Sequence, residues 1–371
     1  MEHRAKVLLL IPHLGGGGAE KVIAHLAQSL SRQRYEIHLA LTSQIDHAQE
    51  NLPLEVTIHL LRAPRVRYGA FRLLALVRRL KPQVIISGMF HLNFLVLLLC
   101  PFFPRRTRVL VRQNGTLSSS LSHDSLPVYT RLLYRLLYRH ANRIICQTAA
   151  MANDLASQLA IPRNMLAVLP NPLDIDAIRR GADRNSNQWT GPGPHLLAIG
   201  RLSREKGFDL LLDAFSSIQE FFPTARLLIA GAGPEEAALK AQCNRLGFDG
   251  AVRFAGRLHD PCAFFPGATL FVLSSRHEGL PNALLEAAAG GLPLVAMPAS
   301  DGVRELLCGR PGAWLASDIS APALAESLQN ALADLRPGQR FPHPFVETFR
   351  IGHAIRAYED LIESTIRKSH P

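Results

Sequence analysis

Cysteine is scarce in this chain, and what there is follows no pattern. Five residues, Cys100, Cys146, Cys243, Cys262 and Cys308, are scattered over 371 positions with no C-x-x-C pair. That argues against a disulfide framework or a cysteine-held zinc and favours a reducing compartment. The fifteen histidines show no H-E-x-x-H or comparable metal-ligand spacing, so no metal site is expected. Long apolar runs are also missing. The longest, Leu92 to Phe103, is too short for a bilayer and is interrupted by Pro101, with Pro104 just beyond. No small-residue cleavage site follows the apolar run that ends at Pro12, so the N-terminus is expected to be a first strand rather than a signal peptide. Acidic side chains are absent from Val56 to His123, a stretch with eleven basic residues. Residues 1–170 hold 21 Lys+Arg and 8 Asp+Glu, net +13, whereas 171–371 hold 20 and 22, net −2; the two sum to +11. Such asymmetry points to an anionic partner for the first half: a membrane surface, a phosphorylated acceptor or nucleic acid. The nucleic-acid reading lacks aromatic interleaving and any recognised motif, so no nucleic acid is expected.

What is present is a globular composition, 47% hydrophobic and 19% charged, with strand-like runs alternating with helical patterns. The runs are Lys6–Pro12, Glu36–Leu41, Val56–Leu61, Val84–Ser87, Arg108–Arg112, Arg143–Gln147 and Leu166–Leu169, then His195–Gly200, Ala225–Ala230, Ala251–Ala255, Ala268–Leu273 and Leu292–Ala296. Helical patterns such as Ala19–Ser31 and Pro127–His140 lie between them. Alternation of this kind predicts α/β architecture with parallel sheets, here two tandem Rossmann-like, doubly wound domains whose ligands sit beyond the carboxyl ends of the strands and in the cleft between domains. The polar, Gly/Pro-rich stretch 184–194 reads as a linker or a long loop.

The most informative segment runs from Ser274 through Glu278-Gly279-Leu280-Pro281-Asn282 to Glu286-Ala287. Glu286 is the only charged residue between Gly279 and Ser300, and a carboxylate in so apolar a helix is costly unless something polar binds it. The turn before that helix offers an anion site. A second segment, Gly200-Arg201-Leu202-Ser203-Arg204-Glu205-Lys206-Gly207, places Arg201 and Lys206 around a strand-to-helix turn. Two cations there suit a diphosphate, although a surface turn would carry them equally well. Gly231-Ala232-Gly233-Pro234 fits a ligand loop or plain turn geometry.

The first loop, Gly15-Gly16-Gly17-Gly18, lets backbone approach a ligand, or is simply a flexible turn. It matches neither the dinucleotide fingerprint, since Glu20 or Lys21 stands at the third glycine, nor the P-loop, since Val22 follows Lys21. His91 follows the strand Val84–Ser87 and could bond a sugar or leaving group. Asp174-Ile175-Asp176 could hold a divalent ion, but a helix cap is the simpler reading. Arg131, Arg135 and Arg139 lie at i, i+4 and i+8 beside leucines and Tyr134/Tyr138. That helix either packs its apolar face in the core or rests on a membrane surface.

In this order the pieces resemble the GT-B-fold retaining glycosyltransferases of family 4 (glycosyl transferases group 1). They are the glycine-rich loop, His91, Pro170-Asn171, Gly200-Arg201…Lys206-Gly207, Gly231-Ala232-Gly233-Pro234 and the Glu278-x7-Glu286 pair. The resemblance covers nearly the whole chain. It implies two facing domains: 1–172, acceptor-side, with a C-terminal helix over 350–371 packing back on it, and 173–349, which binds the nucleotide-sugar. It implies that Arg201 and Lys206 neutralise the donor diphosphate, Glu286 takes the ribose, Glu278 lies near the donor sugar and His91 touches that sugar. Gly16, Gly17, Gly18, Gly233, Gly279, Leu280, Pro281 and Asn282 complete the donor contacts. Two places depart from the pattern: Gln113-Asn114-Gly115-Thr116 has no assignable role, and Pro172 follows Asn171 where glycine is common, stiffening the hinge.

The resemblance implies sugar transfer from a nucleotide-sugar, with UDP-sugars (UDP-N-acetylhexosamine among them) ahead of GDP-mannose. The expected acceptor is a membrane-associated glycolipid, a lipid-phosphate-linked oligosaccharide or a lipopolysaccharide. Retention of configuration without metal or other cofactor is expected, in a cytoplasmic enzyme held peripherally at the inner face of an anionic membrane. The alternatives are a GT-B-fold 2-epimerase or phosphorylase, and, outside enzymes, a binder of anionic surfaces.

Overall fold

The computed structural model describes residues 4–15, 17–42, 52–62, 69–115, 128–184, 188–248, 250–258 and 260–367. The chain divides into two compact units, 1–172 with 351–371, and 173–350.

In the first unit β1 (Ala5–Ile11) leads to α1 (Gly18–Ser29), β2 (Tyr35–Leu41), β3 (Thr57–Leu60), α2 (Ala70–Leu80), β4 (Val84–Ser87), α3 (Phe90–Leu99), β5 (Arg108–Arg112), α4 (Val128–Tyr138), β6 (Arg143–Cys146), α5 (Ala149–Leu159) and β7 (Leu166–Val168). The seven strands pair in the order β3-β2-β1-β4-β5-β6-β7, and the pairings are parallel. Strand β1 shows why: all of Val7 to Ile11 is buried, with Leu8 and Leu10 in one core cluster and Val7, Leu9 and Ile11 in the other. A strand apolar on both faces needs helices on both sides.

The second unit comprises α6 (Ile175–Arg184), β8 (His195–Ile199), α7 (Phe208–Phe221), β9 (Arg226–Ala230), α8 (Glu236–Leu246), β10 (Val252–Gly256), β11 (Leu270–Leu273), α9 (Asn282–Ala289), β12 (Leu294–Ala296), α10 (Asp301–Leu307), β13 (Ala313–Leu315) and α11 (Ala321–Asp334). Its six parallel strands run β10-β9-β8-β11-β12-β13. Strand β13 was not anticipated from the sequence. The stretch 184–194 is no boundary: in its described part Trp189 stacks on His195 at 4.6 Å and donates from Nε1 to the Phe264 carbonyl at 2.8 Å, inside the second unit.

The final helix, α12 (Ile351–Arg367), belongs to the first unit. Its Ile355, Tyr358 and Ile362 fill the cluster that contains α1. Glu359, 4% exposed, accepts from the Ser31 N–H at 2.8 Å and pairs with Arg34, which also holds Glu363 at 2.5 Å.

Helix α4 packs one face in the core and leaves its described arginines solvated, and the buried face is the tyrosine one. It buries Tyr134 and Tyr138, while Leu132, Leu133 and Leu136 stay exposed together with Arg135 and Arg139. The tyrosines go inward because they meet Phe94 of α3 at 4.7 and 6.2 Å, and Tyr138 donates to Gln113 Oε1 at 2.9 Å. Arg131 lies on the same helix, but its side chain is outside the described residues.

Candidate functional site

Each sheet reverses its winding once, between β1 and β4 in the first unit and between β8 and β11 in the second. Loops leaving the carboxyl ends of the strands on either side of such a reversal diverge and leave a crevice. Most of the residues singled out in the sequence fall on these four loops or on the helices that follow them; Gly233, after β9, and Asn171 and Asp174, after β7, do not.

In the second unit the loop after β8 carries Arg201 and Lys206, and the loop after β11 carries Ser274 to Pro281, with Asn282 opening α9. The two are fastened together. Lys206 Nζ donates to Glu278 Oε1 at 2.6 Å, and Ser275 Oγ donates to the same oxygen at 2.6 Å. Ser274 Oγ donates to the Lys206 carbonyl at 2.9 Å. Arg276 forms a two-pronged pair with Asp209 in the first turn of α7, at 2.6 and 2.5 Å, and donates to the Arg204 carbonyl at 2.9 Å. Burial opposes ionisation of Asp209, but the bonds and charge of Arg276 outweigh it and hold the carboxyl below its ordinary pKa. Gly207 sits in the left-handed region at φ 63°, and a Cβ there would run into the Ser274 carbonyl oxygen. Its glycine is therefore required by backbone approach between loops.

The two cations differ. Lys206 is half-buried and engaged with Glu278, whose side chain is 9% exposed. Arg201 is exposed, and among the described residues its guanidinium has no ion pair. The arrangement is a carboxylate–ammonium pair on a loop that also carries an exposed guanidinium, able to offer positive charge to an anion that displaces Glu278. Behind it, Gly279, Leu280 and Pro281 are buried and Pro281 precedes α9, which begins at Asn282. Glu286 lies within α9 and is 7% exposed. Gly233, after β9, has a packing reason for its missing side chain: a Cβ would overlap the Leu202 carbonyl, and the loops are tied by Leu202 N–H to Ala232 O at 3.1 Å.

In the first unit the glycine-rich loop follows β1. Gly16 lies outside the described residues; Gly17 caps α1 and Gly18 opens it. The carboxylate of Glu20 folds back so closely that a Cβ on Gly17 would strike it. The negative charge nearest this helix end is thus the chain's own, which suits the helix dipole and competes with a bound phosphate. His91, one turn beyond β4 in α3, is exposed, and desolvation of its protein-facing part lowers its pKa. The Asp174-Ile175-Asp176 motif resolves into capping and pairing: Asp174 Oδ1 accepts from the Ala177 N–H at 2.9 Å, and Asp176 pairs with Arg350 at 2.6 Å.

Sequence reasoning missed two things here. One is the Ser275 and Arg276–Asp209 clamp; Ser-Ser-Arg directly after a buried strand was its only visible trace. The other concerns Gln113-Asn114, for which no role was found. Arg112, 1% exposed, donates to the side-chain oxygens of Asn114 and Asn171. Asn114 in turn donates to the Gly88 carbonyl at 2.6 Å, and Asn93 to the Arg112 carbonyl at 3.0 Å. Burial raises the pKa of the Tyr358 phenol, against the opposing charge of Arg112 beside it.

Two family models match the chain, one in each unit: the Glycosyltransferase Family 4 model over residues 16–177 and the Glycosyl transferases group 1 model over residues 193–334. The parallel sheets and their switch-point loops define a GT-B architecture, and the chain belongs to the family 4/group 1 glycosyltransferases. Among solved structures it resembles HepE of Anabaena in complex with UDP and glucose, with a TM-score of 0.78 at 17% identity, covering 97% of this chain and 100% of that one. It is 27% identical over 64% of its length to an uncharacterised glycosyltransferase of Methanocaldococcus jannaschii, of which it spans 61%. It is 25% identical over 81% of its length to the N-acetylgalactosamine-N,N'-diacetylbacillosaminyl-diphospho-undecaprenol 4-alpha-N-acetylgalactosaminyltransferase of Campylobacter jejuni, of which it spans 83%.

Proposed function

We propose that this chain transfers a sugar from a nucleotide-sugar to a membrane-associated glycolipid or lipid-phosphate-linked glycan, with retention of configuration and without a metal. The observation that carries this reading is the pairing of Lys206 with Glu278 across the second unit's switch point, on a loop that also carries the exposed Arg201. An incoming diphosphate competes with Glu278 for the ammonium. Once displaced, Glu278 can accept from the sugar's hydroxyls. As the bond from anomeric carbon to phosphate oxygen breaks, its electron pair leaves with the nucleoside diphosphate, where Lys206 and Arg201 balance the growing charge. The acceptor hydroxyl oxygen bonds to the anomeric carbon on the same face, and its proton passes to the departing phosphate oxygen. Glu286, buried in α9, is assigned to the ribose. His91 is assigned to the donor sugar. The structural neighbour bound to UDP and glucose favours UDP over GDP.

A thermal-shift panel of UDP, GDP and ADP with their sugars, with and without EDTA, tests the donor side. UDP and a UDP-sugar should raise the melting temperature, EDTA should leave that rise intact, and Glu286→Ala should abolish it. Absence of any nucleotide response in the wild type would sink the reading, and loss of the response to EDTA would sink its metal-free part.

The acceptor side rests on the first unit. Among the described residues no helix is long and apolar enough to cross a membrane, but α4 turns Leu132, Leu133 and Leu136 outward with Arg135 and Arg139. Leucines and arginines on one outward face suit the interface of an anionic bilayer. The diphospho-undecaprenol named in the activity of the Campylobacter relative agrees with such a location. Vesicle binding should need anionic lipid and weaken with salt. Leu132→Ser/Leu136→Ser should lower it roughly tenfold or more, since each leucine contributes on the order of 1 kcal/mol on partial burial. Equal binding to neutral vesicles at high salt would refute this docking.

A further inference from the structure

A cavity of about 730 Å³ opens at the edge of the first sheet, between the edge strand β3 and α2. His59, Leu61, Arg62, Arg72, Leu76 and Arg79 lie in its wall. Its construction follows from the local sequence. Leu61 is buried in the same core cluster as Leu73, Leu76 and Val77, so α2 is held over this side of the strand. Arg72 then reaches back across the gap, and its Nη1 donates to the carbonyls of Leu61 and Arg62 at 2.7 and 2.8 Å. Arg62 itself sits at φ 45°, where the chain turns out of the strand. On the opposite flank His59 is bonded to His38 at 3.0 Å, and His38 to Glu36 at 3.0 Å.

The wall is chemically one-sided. It holds three arginines and a histidine over an aliphatic floor, and no carboxylate among its described lining residues. The nearest acid in the hydrogen-bond chain, Glu36, is spent on His38. Clustered guanidiniums repel one another, and an anion with several acceptor oxygens relieves that repulsion while accepting forked bonds. The floor gives an apolar portion of the same ligand somewhere to lie. A volume of this size falls in the ordinary range of small-molecule sites.

We propose that this cavity binds an amphipathic organic anion, a phosphate ester whose head meets Arg62, Arg72 and Arg79 and whose aliphatic part lies on Leu61 and Leu76. The proposal does not rest on the glycosyl-transfer reading, because none of these residues belongs to the loops after β1, β4, β8 or β11. The test is calorimetric titration of the full chain with octyl phosphate below its micelle concentration, with octanol and inorganic phosphate alongside. A parallel arm uses phosphatidylcholine vesicles with and without phosphatidic acid. Octyl phosphate should saturate a site, and each half-ligand should bind roughly tenfold more weakly or worse. Arg79→Gln removes one cation and Ala75→Phe narrows the cavity from the exposed side of α2; each should weaken octyl phosphate about fivefold or more without lowering the melting temperature. Vesicle binding that depends on phosphatidic acid and on Arg79 would identify a lipid headgroup as the source, and binding of the free ester alone a soluble one. No saturable binding, inorganic phosphate bound as tightly as its ester, or undiminished affinity in the two variants would overturn the proposal.

Discussion

We expect Lys206→Met to lower nucleotide-sugar turnover at saturating donor by about 10²–10³-fold, the usual cost of removing one fixed group that stabilises developing charge. The size of the loss follows from position. The ammonium is half-buried and already oriented by Glu278 at 2.6 Å, so it needs little reorganisation to meet a leaving diphosphate. A purely structural account is available too, in which Lys206 serves only to neutralise Glu278. The double variant Lys206→Met/Glu278→Gln separates the two. If neutralisation of Glu278 is the whole role, the double variant is as fast as Glu278→Gln alone. If Lys206 acts on the leaving group, the double variant stays well below Glu278→Gln alone. Initial rates under single-turnover conditions decide it, and a wild-type rate in Lys206→Met would end the assignment.

The second large effect concerns stability rather than rate. Arg112→Ala should lower the stability of the first unit by about 3–5 kcal/mol, because two hydrogen bonds from a buried cation are lost and the oxygens of Asn114 and Asn171 are left without that donor. For a unit of this size that corresponds to a fall of roughly 6–20 °C in its melting midpoint. Arg112→Lys keeps the charge but not the fork that reaches both asparagines, and should recover less than half of the loss. Differential scanning calorimetry of the full chain reads both variants, and a midpoint within 2 °C of wild type for Arg112→Ala would show that the network is not holding the unit together.

The legibility of the sequence differed sharply between elements and their contacts. The inner strands of the first sheet were visible because they are short runs apolar on both faces, as Val84–Ser87 and Arg143–Cys146 are. Strand β13 escaped because it is three residues long, only partly buried, and bounded by Gly312. Helix α4 was legible as amphipathic but not in its orientation. Leucines at 132, 133 and 136 look like a core face until Tyr134 and Tyr138 are seen to meet Phe94, a contact about forty residues away in sequence. Glu286 stood out because a charge in an apolar helix needs a reason. The Lys206–Glu278 pair is 72 residues apart, and nothing local to either residue announces the other. The Arg112–Asn171 contact, 59 residues apart, is hidden in the same way. Local periodicity carries elements; crossings of the switch point are carried only by topology.

The path of the chain through its two units has a consequence for synthesis. The chain leaves the first unit after Pro172 and re-enters it at Ile351, and these points are adjacent in space, since the Leu173 N–H donates to the Phe349 carbonyl at 2.8 Å. The second unit is therefore an insertion whose ends are already joined, and it can close on itself as soon as its own residues have left the ribosome. The first unit cannot. Its core lacks Ile355, Tyr358 and Ile362, and Glu359 is not there to hold Ser31 and Arg34, until α12 emerges. The first unit thus stays incomplete through the whole synthesis of the second, and until α12 follows, α1 presents an uncovered apolar stripe to whatever attends the nascent chain.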